Sequence, residues 1–133
     1  MPHRIAKSTA LAAGLFLLLF SAAGYAERLI SQRNETLPTD AWQDLGHLLI
    51  GSYLVWMGIK GEGASATALA VSAFFCAAFA GIALYELGDA SKGLVLDRTV
   101  LVTKAACWLH AILAASMAAG AIMNTSKRQL FYD

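Results

Sequence analysis

Four long apolar runs alternate with short polar stretches along this chain. The runs are IAKSTALAAGLFLLLFSAAGYA over 5–26, AWQDLGHLLIGSYLVWMGI over 41–59, ASATALAVSAFFCAAFAGIALYEL over 64–87 and TVLVTKAACWLHAILAASMAAGAIM over 99–123. A helix of roughly 20 apolar residues spans a bilayer core. The pattern therefore predicts an all-α fold, a bundle of four transmembrane helices forming one integral membrane domain over 1–133. The middle connection GIKGEGA is short, so helices two and three are expected to be antiparallel neighbours. The halves one-two and three-four each pair a small-and-aromatic helix with a helix bearing one histidine, which suggests a parallel two-helix repeat. The opening MPHRIAK and the later GYA have some features of a cleaved signal peptide. The apolar run is long for one, so it is read as a retained helix.

Charge orients the helices only moderately. The outer connections ERLISQRNETLPTD and ELGDASKGLVLDR hold Glu27, Glu35, Asp40, Glu86, Asp89 and Asp97, with Arg28, Arg33, Lys92 and Arg98 among them. Arg4, Lys7, Lys60, Lys127 and Arg128 lie on the opposite side. Cations near the membrane favour the cytoplasmic face and acids contribute little. Both termini are therefore expected in the cytoplasm. Tyr25 and Trp42 fit the outer aromatic belt and Trp56 the inner half of helix two. Asn34 opens an NET glycosylation acceptor, more simply read as a solvated loop.

The chain of 133 residues is 58% hydrophobic and 14% charged, against roughly a quarter charged in soluble domains. Ten basic and nine acidic residues nearly cancel, which argues against nucleic acid as a partner. Cys76 and Cys107 lie in apolar runs without CxxC or Cys/His spacing, so no metal site is expected and each reads as a buried structural thiol. Helix association in lipid relies on close packing and polar contacts. The surfaces for it are Ala73, Ala77 and Gly81 beside Ser72, Cys76 and Ala80 on helix three, Thr103, Cys107, Ala111, Ala115 and Ala119 on helix four, and Gly51 with Gly58 on helix two. The run LFLLLF of helix one is expected to face lipid or a larger partner.

His47 and His110 are the candidate chemistry. Ionisable groups at membrane depth are costly and draw attention to function. Neutral imidazole ligates haem iron or chlorophyll magnesium, and a macrocycle needs small residues one turn away. Gly51 lies one turn from His47, and Ala106 and Ala114 bracket His110. Asp44 is placed to orient His47 from the same helix face. The simpler reading, a histidine bonded to a neighbouring helix, carries more weight. Depth also argues against one haem shared by both: His47 lies about six residues in and His110 about eleven, an offset of roughly 7 Å. Proton transfer ranks third. Lys104 is expected to snorkel outward in preference to meeting Glu86. No catalytic constellation is visible, so the chain is not expected to be an enzyme.

HLLIG in helix two, WLHAILA in helix four and ALAAGLFLLLFSAAGY in helix one resemble a bacterial family of small four-helix membrane proteins of unknown function. Its members show a His-Leu-Leu-x-Gly run and a Trp-Leu-His run. The resemblance implies His47, Gly51, Trp108 and His110 as the family-type positions and a four-helix topology, with no activity to transfer. The chain departs from the family in its short polar inner loop and its Ala-rich third and fourth helices.

The leading expectation is an accessory or scaffolding subunit whose partners are the bilayer and other membrane-protein subunits. Its tail KRQLFYD is read as an interfacial anchor. The runner-up binds haem b or chlorophyll through His47, His110 or both in an electron-transfer or photosynthetic complex. A small transporter is a third reading, for which Asp44, His47, Lys104 and His110 offer few path-lining groups.

Overall fold

A computed structural model describes residues 4–30, 41–86, 94–96, 100–102 and 104–129. Four helices are present: α1 Ile5–Ile30, α2 Ala41–Lys60, α3 Glu62–Glu86 and α4 Lys104–Gln129. Three of them hold segments long and apolar enough to cross a membrane, Ile5–Ile30, Glu62–Ile82 and Ala106–Met123. The 20 residues of α2 also reach about 30 Å. Its apolar character is diluted by Gln43, Asp44 and His47, all three buried inside the bundle. The Asn34 acceptor, the charges Arg33, Glu35, Asp40, Asp89, Lys92, Asp97 and Arg98, the end of the KRQLFYD tail, and the side chains of Lys104 and Glu86 lie outside the described residues.

The first helix runs on to Ile30 and the fourth to Gln129, past the expected ends at 26 and 123, and the fourth starts later than expected. The run TVLVT does not open the fourth helix. Val100–Val102 forms strand β2, antiparallel to β1 at Leu94–Leu96, with Val95 opposite Leu101. Valine loses rotamer freedom in a helix and packs well on a pleated surface, so LVL and VLV pair, and α4 begins only at Lys104.

Packing follows the chain in pairs. The main interfaces are α1 with α2 and α3 with α4, while α2 and α3 meet less extensively despite the shortest connection. That connection is Gly61 alone, at φ 129°. The Ser65 hydroxyl donates to the Gly61 carbonyl at 2.7 Å and lies 3.2 Å from that of Met57, closing the turn. At the same end of the bundle, Glu62 accepts from the backbone N–H groups of Ala6 (2.7 Å) and Lys7 (3.0 Å). The first N–H groups of a helix lack intrahelical partners and carry partial positive charge, so a carboxylate from α3 caps α1. The two helices therefore start side by side and run in parallel.

The α1–α2 seam is backbone against backbone. Buried positions on α1 are Ala6, Ala10, Gly14, Leu17, Ser21 and Gly24. A Cβ on Gly14 would stand 2.8 Å from the Gly51 carbonyl, and one on Gly51 would stand 2.9 Å from the Gly14 carbonyl. These glycines are required by close approach. Gly120 of α4 leaves similar room for Thr9 of α1. Within the LFLLLF run, Leu15, Phe16 and Leu19 face outward as expected, but Leu17 is buried and Phe20 packs against a histidine ring.

The four-residue ladders expected on α3 and α4 hold only locally. Ala73 and Cys107 are buried, but Ala77, Gly81, Ala115 and Ala119 are exposed. The buried stripes are Ser65, Ala68, Leu69, Ser72, Cys76 and Ala80 on α3, and Ala106, His110, Ala114, Met117 and Ala121 on α4, so the Ser72, Cys76 and Ala80 row is the one that packs. Large apolar side chains point outward instead, among them Leu19, Leu49, Phe74, Ile112 and Ile122. Small and polar inside, large and apolar outside, is the pattern expected when the surrounding solvent is lipid.

Candidate functional site

A chain of polar groups crosses the bundle near the start of α2 and α4. At one end, Arg28 of α1 donates to Oδ2 of Asp44, whose side chain is fully buried. The Arg28 guanidinium also lies over the Tyr25 ring, 5.0 Å from its centroid. Ser21 donates to the Asp44 carbonyl at 2.8 Å, fixing that turn of α2 against α1. His47 follows one turn along α2, with Nδ1 3.9 Å from Asp44 Oδ1. That is beyond hydrogen-bond reach. Asp44 is thus an electrostatic neighbour of His47 and does not orient it by a hydrogen bond. Among the described residues, neither Asp44 Oδ1 nor His47 Nδ1 has a hydrogen-bond partner.

His47 Nε2 and His110 Nε2 face each other at 3.3 Å, so the two imidazoles meet in the core. The offset expected between them is absent. It came from starting the fourth helix at 99; with α4 starting at Lys104, His47 lies six residues after Ala41 and His110 six residues after Lys104. Their ring centroids are 5.3 Å apart. Phe20 of α1 meets the His47 ring edge-on, 5.5 Å between centroids, and Phe79 of α3 lies 4.4 Å from the His110 ring. All four helices therefore contribute to the enclosure.

The tautomer of His110 follows from its partner. Its Nδ1 lies 2.7 Å from the Ala106 carbonyl, and a carbonyl can only accept, so Nδ1 carries the hydrogen. In the neutral ring, Nε2 is then a bare lone pair aimed at His47.

No known protein family, curated protein or solved structure matches this chain. Function must therefore be argued from the site itself.

The pair lines a cavity of about 410 Å³ that opens between α2 and α3, with Trp42, Gln43, Ile50, Phe75 and Cys76 around it. Cys76 and Cys107 are both buried free thiols. The small residues expected to seat a macrocycle are engaged in packing: Gly51 fits against Gly14, Leu17 and Leu18, and Ala114 belongs to the apolar core. Axial imidazoles on opposite sides of one metal stand about 4 Å apart, twice a bond of about 2.0 Å, with the macrocycle between them. A haem shared by both rings would need this contact opened. Trp108 faces outward and is 63% exposed.

Sequence reasoning placed His47, Asp44 and His110 but missed Arg28, Ser21, Phe20, Phe79 and Gln43.

Proposed function

We propose that this chain is a non-enzymatic integral membrane protein, an accessory or scaffolding subunit of a larger complex in a bacterial inner or intracytoplasmic membrane. In this reading it crosses the bilayer four times with both termini in the cytoplasm. Arg4, Lys7 and Lys60 gather at the end where Glu62 caps α1, whereas Arg28 at the opposite end is engaged by Asp44. This distribution supports the orientation, because cations near the cytoplasmic face set topology.

The observation that carries the subunit reading is a groove of about 460 Å³ on the outer face of α3 and α4, lined by Ala70, Ala73, Ala77, Ala114, Ala115 and Ala118. In lipid, helices associate through small-residue faces that permit close van der Waals contact, and this face suits a helix from another subunit. The test is purification in mild detergent with identification of the proteins that accompany the chain. Filling the groove with Ala77→Trp or Ala115→Trp should remove those companions while Ile59→Trp, on another exposed face, retains them. Companions that persist in both groove variants, or a chain that always purifies alone, reject the reading.

The competing reading, a tetrapyrrole subunit ligated by His47 or His110, is supported by the adjoining cavity and opposed by the occupied small-residue seats. A Soret band in gently purified protein, lost in His47→Ala or His110→Ala, would replace the proposal.

A further inference from the structure

The geometry points to a site for one transition-metal ion, ligated by Nε2 of His47 and Nε2 of His110 at the wall of the α2–α3 cavity. This inference does not depend on the subunit reading.

With His110 Nδ1–H committed to Ala106, a neutral His47 has two tautomers, and each leaves a conflict. If His47 carries its hydrogen on Nε2, it donates to His110 Nε2, but its Nδ1 lone pair is left 3.9 Å from Asp44 Oδ1, acceptor facing acceptor. If it carries the hydrogen on Nδ1, that hydrogen points toward the carboxylate, but two Nε2 lone pairs confront each other at 3.3 Å. Buried acceptors without donors are unfavourable. A cation between the Nε2 atoms removes the second conflict and leaves every other group as it stands. Asp44 and Arg28 already balance each other, so the pair has no other source of positive charge nearby among the described residues.

A contact of 3.3 Å lies at the long end of hydrogen-bond distances. Two nitrogens each about 2.0–2.1 Å from a tetrahedral ion stand about 3.3–3.4 Å apart, which is the separation found. Metal-bound histidines hand their other N–H to a carbonyl or carboxylate, which fixes the ring and raises ligand basicity. His110 does this with Ala106, whereas His47 Nδ1 has Asp44 Oδ1 only as an electrostatic neighbour at 3.9 Å. No cluster of three His, Cys, Asp or Glu is present among the described residues. The remaining coordination positions therefore fall to small ligands entering from the cavity. Imidazole donors favour zinc, copper, nickel or iron over magnesium or calcium.

The experiment uses the full chain, purified without a polyhistidine tag, stripped with chelator and titrated with Zn²⁺ calorimetrically in detergent. One ion per chain is expected. Binding should weaken at least about 100-fold in His47→Ala and in His110→Ala, with helical circular dichroism retained. As a readout independent of substitution, imidazole ¹⁵N spectra of the unaltered protein should show Zn²⁺ shifting Nε2 of both rings while both Nδ1 stay protonated. Absence of Zn²⁺ binding, binding undiminished in both histidine variants, or a metal-free protein with a doubly protonated His47 insensitive to Zn²⁺ overturns the inference. A chain that binds Zn²⁺ through this pair yet purifies alone refutes only the subunit reading.

Discussion

Gly24 and Gly81 are both helical glycines, and their surroundings assign them opposite roles. A Cβ on Gly24 would collide with the Asp44 carboxylate, whereas one on Gly81 meets nothing within 4 Å. Gly24→Ala must therefore push α1 away from α2 or dislodge the Arg28–Asp44 pair. It is expected to destabilise by about 1–3 kcal/mol. Gly81→Ala should be neutral or stabilise by up to about 1 kcal/mol, through lower unfolded-chain entropy. Denaturant unfolding of the two variants in detergent checks both signs, and equal effects would contradict the packing described. At this scale the sequence was partly legible. His47 with Asp44 and Gly51 could be read from helical spacing, because all three lie on one element. Arg28 could not, since its partner lies 16 positions away on another helix and only tertiary packing joins them.

Elements are held by their ends as much as by their faces. The turn between α2 and α3 consists of one residue with a positive φ of 129°, a conformation in which a Cβ is strained. Gly61→Ala meets no steric neighbour, so its effect isolates that backbone penalty. A loss of about 1–2 kcal/mol is expected in the same unfolding assay; no loss would mean that the turn tolerates a different φ. Element existence was readable from the apolar runs, because each exceeds the length of an ordinary strand. The start of α4 was not, since TVLVT is equally apolar in a helix or a strand and β-branching decided for the strand. That single boundary shifted the expected depth of His110 and concealed its meeting with His47. On α3 two neighbouring four-residue rows were visible, and the sequence alone did not say which would pack: Ser72, Cys76 and Ala80 turned inward, while Ala77 and Gly81 did not.

At the scale of the whole molecule, the two hairpins α1–α2 and α3–α4 are the packing units, joined by Gly61, the Glu62 cap and the histidine contact. The proposed orientation places the Gly61 turn in the cytoplasm and the far end of α1 outside. In a background lacking both thiols (Cys76→Ala, Cys107→Ala), a cysteine replacing Leu29 should react with a membrane-impermeant maleimide in intact spheroplasts. One replacing Gly63 should react only after permeabilisation. The reverse pattern would invert the topology. Four apolar runs made the bundle legible from the start, but the pairing of its helices was not, because the shortest connection joins the two that pack less.

His47 and His110 are separated by 63 positions, whereas Arg28, Asp44 and Ser21 all belong to the first hairpin. During synthesis, the amino-terminal hairpin can close around its ion pair before the ribosome has made the carboxy-terminal one. The imidazole contact must wait until α4 has been translated and inserted. That contact thus records the arrival of α4, and a chain truncated before residue 110 would leave His47 without its facing imidazole.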